Sequence, residues 1–193
     1  MNTFDQKSFL EEHIPYRLGN LDACFHALRI LNSEPRTRSV TLRFDTGHEM
    51  RGHVALVTNA WVETGIITCR TMLDFLEGKT GTGHTDDITI CSFSRHDGQH
   101  LAPVLREKIV ASGPEEVSSE FTSRALRFAY RAANKAVAHL TRAKVQDPEA
   151  VQFYQTACLT LVRAVHFHLY DALGIPRPPS MIREFRRSEE PGL

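Results

Sequence analysis

Apolar residues recur at every third or fourth position through most of this chain, the period of helices that each bury one stripe. The pattern is longest over 147–174, where Val151, Tyr154, Cys158, Leu161, Val162, Val165, Leu169 and Leu173 share a face. Asp147 stands at the cap position, Pro148 suits the first turn, and Gly174 stops the helix ahead of Ile175-Pro176. A helix is also predicted from Pro114 to about Lys144, and the short link Gln146-Asp147 makes the two an antiparallel hairpin. A third helix runs from Thr58 or Asn59 to Glu77, with Trp61, Gly65, Cys69, Met72 and Leu76 along one side. A fourth, Pro15 to Leu31, carries Leu18, Leu21, Phe25, Leu28 and Leu31, and Pro15 separates it from a shorter helical turn.

Alternation replaces this period over 39–56: Val40, Leu42 and Phe44, then Met50, Val54 and Leu56, flank Asp45-Thr46-Gly47 and predict a small hairpin. Residues 78–113 are less regular, with a polar loop, a short strand at DDITICSFS and a short helix within HLAPVLREKIVAS. The expected fold is all-α, an antiparallel bundle of four to five helices with a small β-hairpin insertion. It forms a single domain over 1–175, followed by a Pro-rich, locally basic tail over 176–193.

Lys and Arg total 23, as do Asp and Glu, so any nucleic-acid site must be a local patch. No apolar run approaches the roughly 20 residues that span a bilayer. Acidic residues interrupt the N-terminal MNTFDQKSFLEEHIP, so a soluble cytoplasmic protein without membrane association is expected. Cys24, Cys69, Cys91 and Cys158 form no CxxC pair, and reduced, packed thiols suit that compartment.

Several motifs invite chemistry that their surroundings discourage. Gly78-Lys79-Thr80 matches the end of a phosphate loop, but Leu73 stands where the earlier glycine belongs and no strand leads in. Cys91, His96 and His100 have zinc-like spacing without a second cysteine pair, so neither metal nor other cofactor is expected. Asp22 and His26 share a helix face as a candidate acid–base pair, for which a modest surface contact is the simpler account. His166 and His168 differ by roughly 200° around a helix and are not expected to share a site. Neither GxSxG nor HExxH occurs.

The informative stretch is ANKAVAHLT, residues 133–141. At about 100° per residue, Arg127, Arg131, Asn134, Lys135, His139 and Arg142 occupy one polar arc. Leu126, Ala129, Ala133, Ala136, Val137 and Leu140 lie opposite, on the buried face. Such cations gather phosphate oxygens, and a histidine of near-neutral pKa moves a proton, so metal-independent RNA cleavage is one chemistry this arc suits. A second histidine would come from a symmetric dimer.

Asn134-Lys135-x-x-Ala138-His139-Leu140, in the penultimate long helix of an all-α chain, resembles the signature helix of the HEPN superfamily. Within it the abortive-infection-like branch carries Arg-Asn-Lys-x-x-Ala-His-Leu, and Cys69-Arg70-x-x-Leu73-x-Phe75-Leu76 is also similar to such proteins. The resemblance implies a homodimeric bundle whose Arg-x4–6-His motif lines a cleft and cuts RNA, in toxins, antiphage effectors or RNA-processing enzymes. A cognate antitoxin or other protein partner is then also implied. His139 matches the motif histidine and Asn134 the polar residue after the arginine, but Ala133 stands where the arginine belongs. Arg131, eight residues before His139, is the displaced substitute, at about 12 Å of axial rise. The expectation is thus an RNA- or nucleotide-binding protein with impaired ribonuclease activity. Catalysis falls to His139, Asn134 and Arg131, and nucleic-acid binding to Arg127, Arg131, Lys135 and Arg142. The alternative is a non-enzymatic helical dimerisation protein in which Asn134 and His139 form a buried polar network.

Overall fold

A computed structural model describes residues 4–33, 38–80, 87–136 and 148–179, without the side chains of 135, 136 and 148. Its elements in chain order are α1 (Gln6–Ser8), a π-helical turn (Phe9–His13), α2 (Ile14–Ser33), β1 (Ser39–Arg43), β2 (Glu49–His53) and α3 (Val54–Leu76). A 3-10 turn (Ile90–Ser92), α4 (Arg106–Val110), α5 (Ser119–Ala136), α6 (Pro148–Val165) and a second π-helical turn (His166–Asp171) follow. The architecture is the expected one, a helical bundle with one two-stranded antiparallel hairpin. No described helix is long and apolar enough to cross a membrane.

Four long helices close a ring: α2 packs on α3 and α6, and α5 packs on the same two. Leu18, Leu21, Leu28, Val62, Ile66, Leu126 and Leu161 all lie at or below 5% exposure inside it. Full burial of such a side chain is worth about 1.5–3 kcal/mol, so this ring dominates the stability. The tightest point is Gly65, where α3 approaches α2. A Cβ there would overlap Cys24 Cβ and lie 2.7 Å from its Sγ. Beside it Cys69 Sγ and Cys158 Sγ meet at 3.8 Å, and Cys24, Cys69 and Cys158 are buried free thiols. Proton sharing with Cys158 and burial hold the Cys24 thiol well above its usual range.

Most departures from the sequence pattern occur at element ends. Pro15 does not break its helix: α1, the π-helical turn and α2 run on without a gap, and the Ile14 N–H reaches Phe9 O. The wide turn displaces the carbonyls that a proline ring otherwise strikes. The third helix starts at Val54, not Thr58 or Asn59, so Val54 and Leu56 are helical rather than strand residues. Val54 N–H closes on Arg38 O and Thr58 Oγ1 donates to Val54 O at 2.8 Å, tying the hairpin end to the first helical turn. Trp61 is 36% exposed, off the buried side where the period placed it.

The helix expected from Pro114 starts at Ser119, because Pro114–Val117 form a turn and Ser118 Oγ accepts the Phe121 N–H. The strand expected in DDITICSFS is a 3-10 turn closed by a Thr89–Ser92 capping box. Gly174 ends the last helix as expected: its φ is +68°, with Ile175 N–H on Tyr170 O and its own N–H on Asp171 O.

Candidate functional site: a cationic cleft beside α5

Helix α5 places its residues as the period requires: Ala133 is 6% exposed on the packed side, while Arg127, Arg131 and Asn134 are exposed. Asn134 is thus exposed on the single chain and is not buried against another helix of it. His139 and Arg142 lie outside the described residues, as does the Lys135 side chain. The packed face of α5 borders more than core. Ala133 forms part of the wall of a cleft of about 600 Å³, where α5 meets α3 and the first π-helical turn. The position at which the resemblance asks for arginine therefore opens on this cleft, and Arg131 is not among the residues lining it.

The cleft carries Arg17 from α2, Arg70 from α3 and Lys79 from the following turn, with His13 on its edge. Asp74 and Asp87 are its carboxylates, and Met72, Phe75 and Ile88 give it an apolar floor. Three cations face two carboxylates, so the wall is cationic by one charge. Volume, apolar floor and a few convergent polar groups are the attributes of ligand sites.

Arg70 and Lys79 are held in place by neighbouring side chains. Arg70 Nε lies 3.5 Å from Asp74 Oδ2 one helical turn on, an i,i+4 pair that is partly solvent-exposed and worth little to stability. Its guanidinium stands 5.8 Å from the Tyr130 ring centroid, and Lys79 Nζ stands at the same distance from the same ring. A single tyrosine of α5 thus holds two cations against the cleft. Lys79 Nζ also meets Glu77 Oε2, and Arg106 grips that carboxylate with Nε and Nη2. Asp74 Oδ1 is buried without a hydrogen-bond partner among the described groups, an acceptor left over in the wall.

The turn that delivers Lys79 follows from Gly78. Its φ is +67°, and Lys79 N–H bonds to Asp74 O while Gly78 N–H bonds to Phe75 O, the glycine-capped ending of α3. The Gly-Lys-Thr that resembles a phosphate loop is therefore a helix cap, which nonetheless aims its lysine at the cleft. The rest of that loop, 81–86, lies outside the described residues.

The other sequence candidates are not brought together here. His96 is exposed, and the His100 ring engages Ser94 Oγ at 3.1 Å. No three His, Cys, Asp or Glu side chains converge as metal ligands among the described residues. Burial lowers the His26 pKa, partly countered by Asp22, and neither residue lines the cleft. His166 and His168, not expected to share a site, both line one groove at the second π-helical turn.

Arg17 and Tyr130 carried no role in the sequence pattern, Lys79 entered it only through the discounted phosphate-loop match, and Arg70 only through the resemblance over 69–76. The readable signal was the Arg70/Asp74 spacing on α3, but its meaning depends on Tyr130 arriving from a distant helix. Comparison of the chain with family models, with curated proteins and with solved structures finds no match.

Proposed function

We propose that this chain is a HEPN-like RNA- or nucleotide-binding protein that receives phosphate in the cleft beside α5. The observation that carries the reading is the convergence of Arg17, Arg70 and Lys79 on an apolar-floored cleft whose wall includes Ala133. Cations held by fixed frameworks take phosphate oxygens without reordering. The floor accepts the flat, less polar part of a nucleotide. In this reading Arg70 supplies the guanidinium absent at 133, and the exposed arc of Arg127, Arg131 and Asn134 extends contact along the strand. Weak metal-independent cleavage of toxin or antiphage type, with a homodimer completing the site, belongs to the same proposal and rests on His139.

Two assays separate its parts. Arg70→Ala/Lys79→Ala is expected to weaken RNA or nucleotide binding with the fold intact, and unchanged affinity removes the cleft. Purified protein incubated with total RNA under chelator, beside His139→Ala, tests cleavage; equal cleavage by both removes His139 as catalyst.

A second reading, a non-enzymatic helical interaction protein, is favoured by Leu56 and Ile67, which are 66% and 40% exposed on α3. Light scattering of the wild type and Leu56→Lys/Ile67→Lys decides it: a dimer lost in the variant supports a partner face, and a monomer in both removes it.

A further inference from the structure

The end of α6 carries a second groove, of about 650 Å³, independent of the cleft beside α5. Its wall is the π-helical turn His166–Asp171 on one side and the α4 end with the following loop on the other. Single-turn π insertions are energetically poor and tend to persist where they serve a site. This one places three rings in succession, His166, Phe167 and His168, at the edge of the groove. Phe167 is 62% exposed, forgoing most of what its burial would contribute, and its ring meets the His168 ring edge-on at 4.9 Å.

Cations surround these rings. Lys108, Arg163 and Arg177 line the groove with Glu115. Arg177 is committed to Asp171 through two hydrogen bonds. Arg163 Nη1 donates to Gly113 O at 3.1 Å, which fixes the guanidinium and the facing loop together. Burial, with Arg177 nearby, lowers the His166 pKa, so a neutral imidazole stands on this wall near neutral pH.

An exposed aromatic face between cations is what an unpaired base with flanking phosphates requires. An acidic peptide fits less well, because runs of carboxylate side chains offer no flat π-face to stack on Phe167, whereas every base presents one.

We propose that this groove binds single-stranded RNA, one base stacking on Phe167 while Lys108 and Arg163 take the adjacent phosphates and His166 hydrogen-bonds to the base edge.

The test is fluorescence anisotropy of a short labelled oligouridylate, measured in an Arg70→Ala/Lys79→Ala background so that failure of the α5 cleft does not decide it. Phe167→Ala is expected to weaken binding by roughly five-fold or more, and Lys108→Ala/Arg163→Ala to weaken it and flatten its salt dependence. In a Trp61→Phe background, Phe167→Trp is expected to retain binding, with indole emission quenched as RNA is added. Equal affinity of the background protein and its Phe167→Ala form overturns the proposal, as does no binding by the background protein. A labelled oligoglutamate that binds Phe167-dependently where oligouridylate does not overturns it in favour of a peptide site.

Discussion

Replacing Gly65 with alanine probes the closest helix approach in the bundle. The new Cβ would overlap Cys24 Cβ and sit 2.7 Å from Cys24 Sγ and 3.2 Å from Asn20 O. Carbon contacts relax at about 3.5–4.0 Å, so α2 and α3 must separate by upwards of roughly 1 Å, enough to forfeit at least a quarter to a half of each dispersion contact along the seam. Overpacking of this kind costs about 1–3 kcal/mol, against which alanine regains about 0.5–1 kcal/mol of helix propensity over glycine. The net expectation is a loss of about 1–2 kcal/mol, or roughly 2–8 °C in Tm for a chain of this length. Urea and thermal unfolding of Gly65→Ala measure it. In a Cys24→Gly background, where the obstructing side chain is gone, the same substitution is expected to be neutral or stabilising, a coupling that a double-mutant cycle reads directly. An undiminished midpoint for Gly65→Ala alone, or an equal cost in both backgrounds, refutes the packing argument.

Two further outcomes follow from burial. An uncharged thiol reagent is expected to label half-buried Cys91 in the native state and reach Cys24, Cys69 and Cys158 only on unfolding, so rapid native labelling of four thiols contradicts the core described. Burial also lowers the pKa of His26, His166 and His168 below the unfolded value of about 6.5, so the unfolded chain binds more protons in that range. Their contribution to stability is present above about pH 6.5 and is lost as pH falls from there through the lowered folded values, so the urea midpoint should drop as pH is taken below about 6.5. A midpoint that rises instead contradicts the assignment.

The bundle was legible because each long helix carries a stripe that survives in isolation: Val151, Tyr154, Cys158 and Leu161 needed no partner to announce a buried face. Ends were harder. Whether Ser118 or Pro114 opens α5, and whether Val54 belongs to strand or helix, depends on single hydrogen bonds that periodicity does not encode. Pro15 was misread because the chain inserts a π-helical turn just ahead of it, which periodicity does not encode. On α5 the sequence correctly divided exposed Arg127, Arg131 and Asn134 from buried Ala133. It did not reveal that the buried side fronts a cleft, because Arg17, Arg70 and Lys79 are far apart in the chain and converge only when α2, α3 and α5 pack.

The salt dependence of single-stranded RNA affinity tests the cleft most directly. Each phosphate neutralised on a single strand contributes about −0.7 to the slope of log affinity against log salt. If Arg70 and Lys79 each hold a phosphate, Arg70→Ala/Lys79→Ala should make that slope shallower by about 1.4 and weaken binding at low salt, with an unchanged circular dichroism spectrum. A slope and affinity equal to those of the wild type would contradict the assignment of phosphate to this cleft.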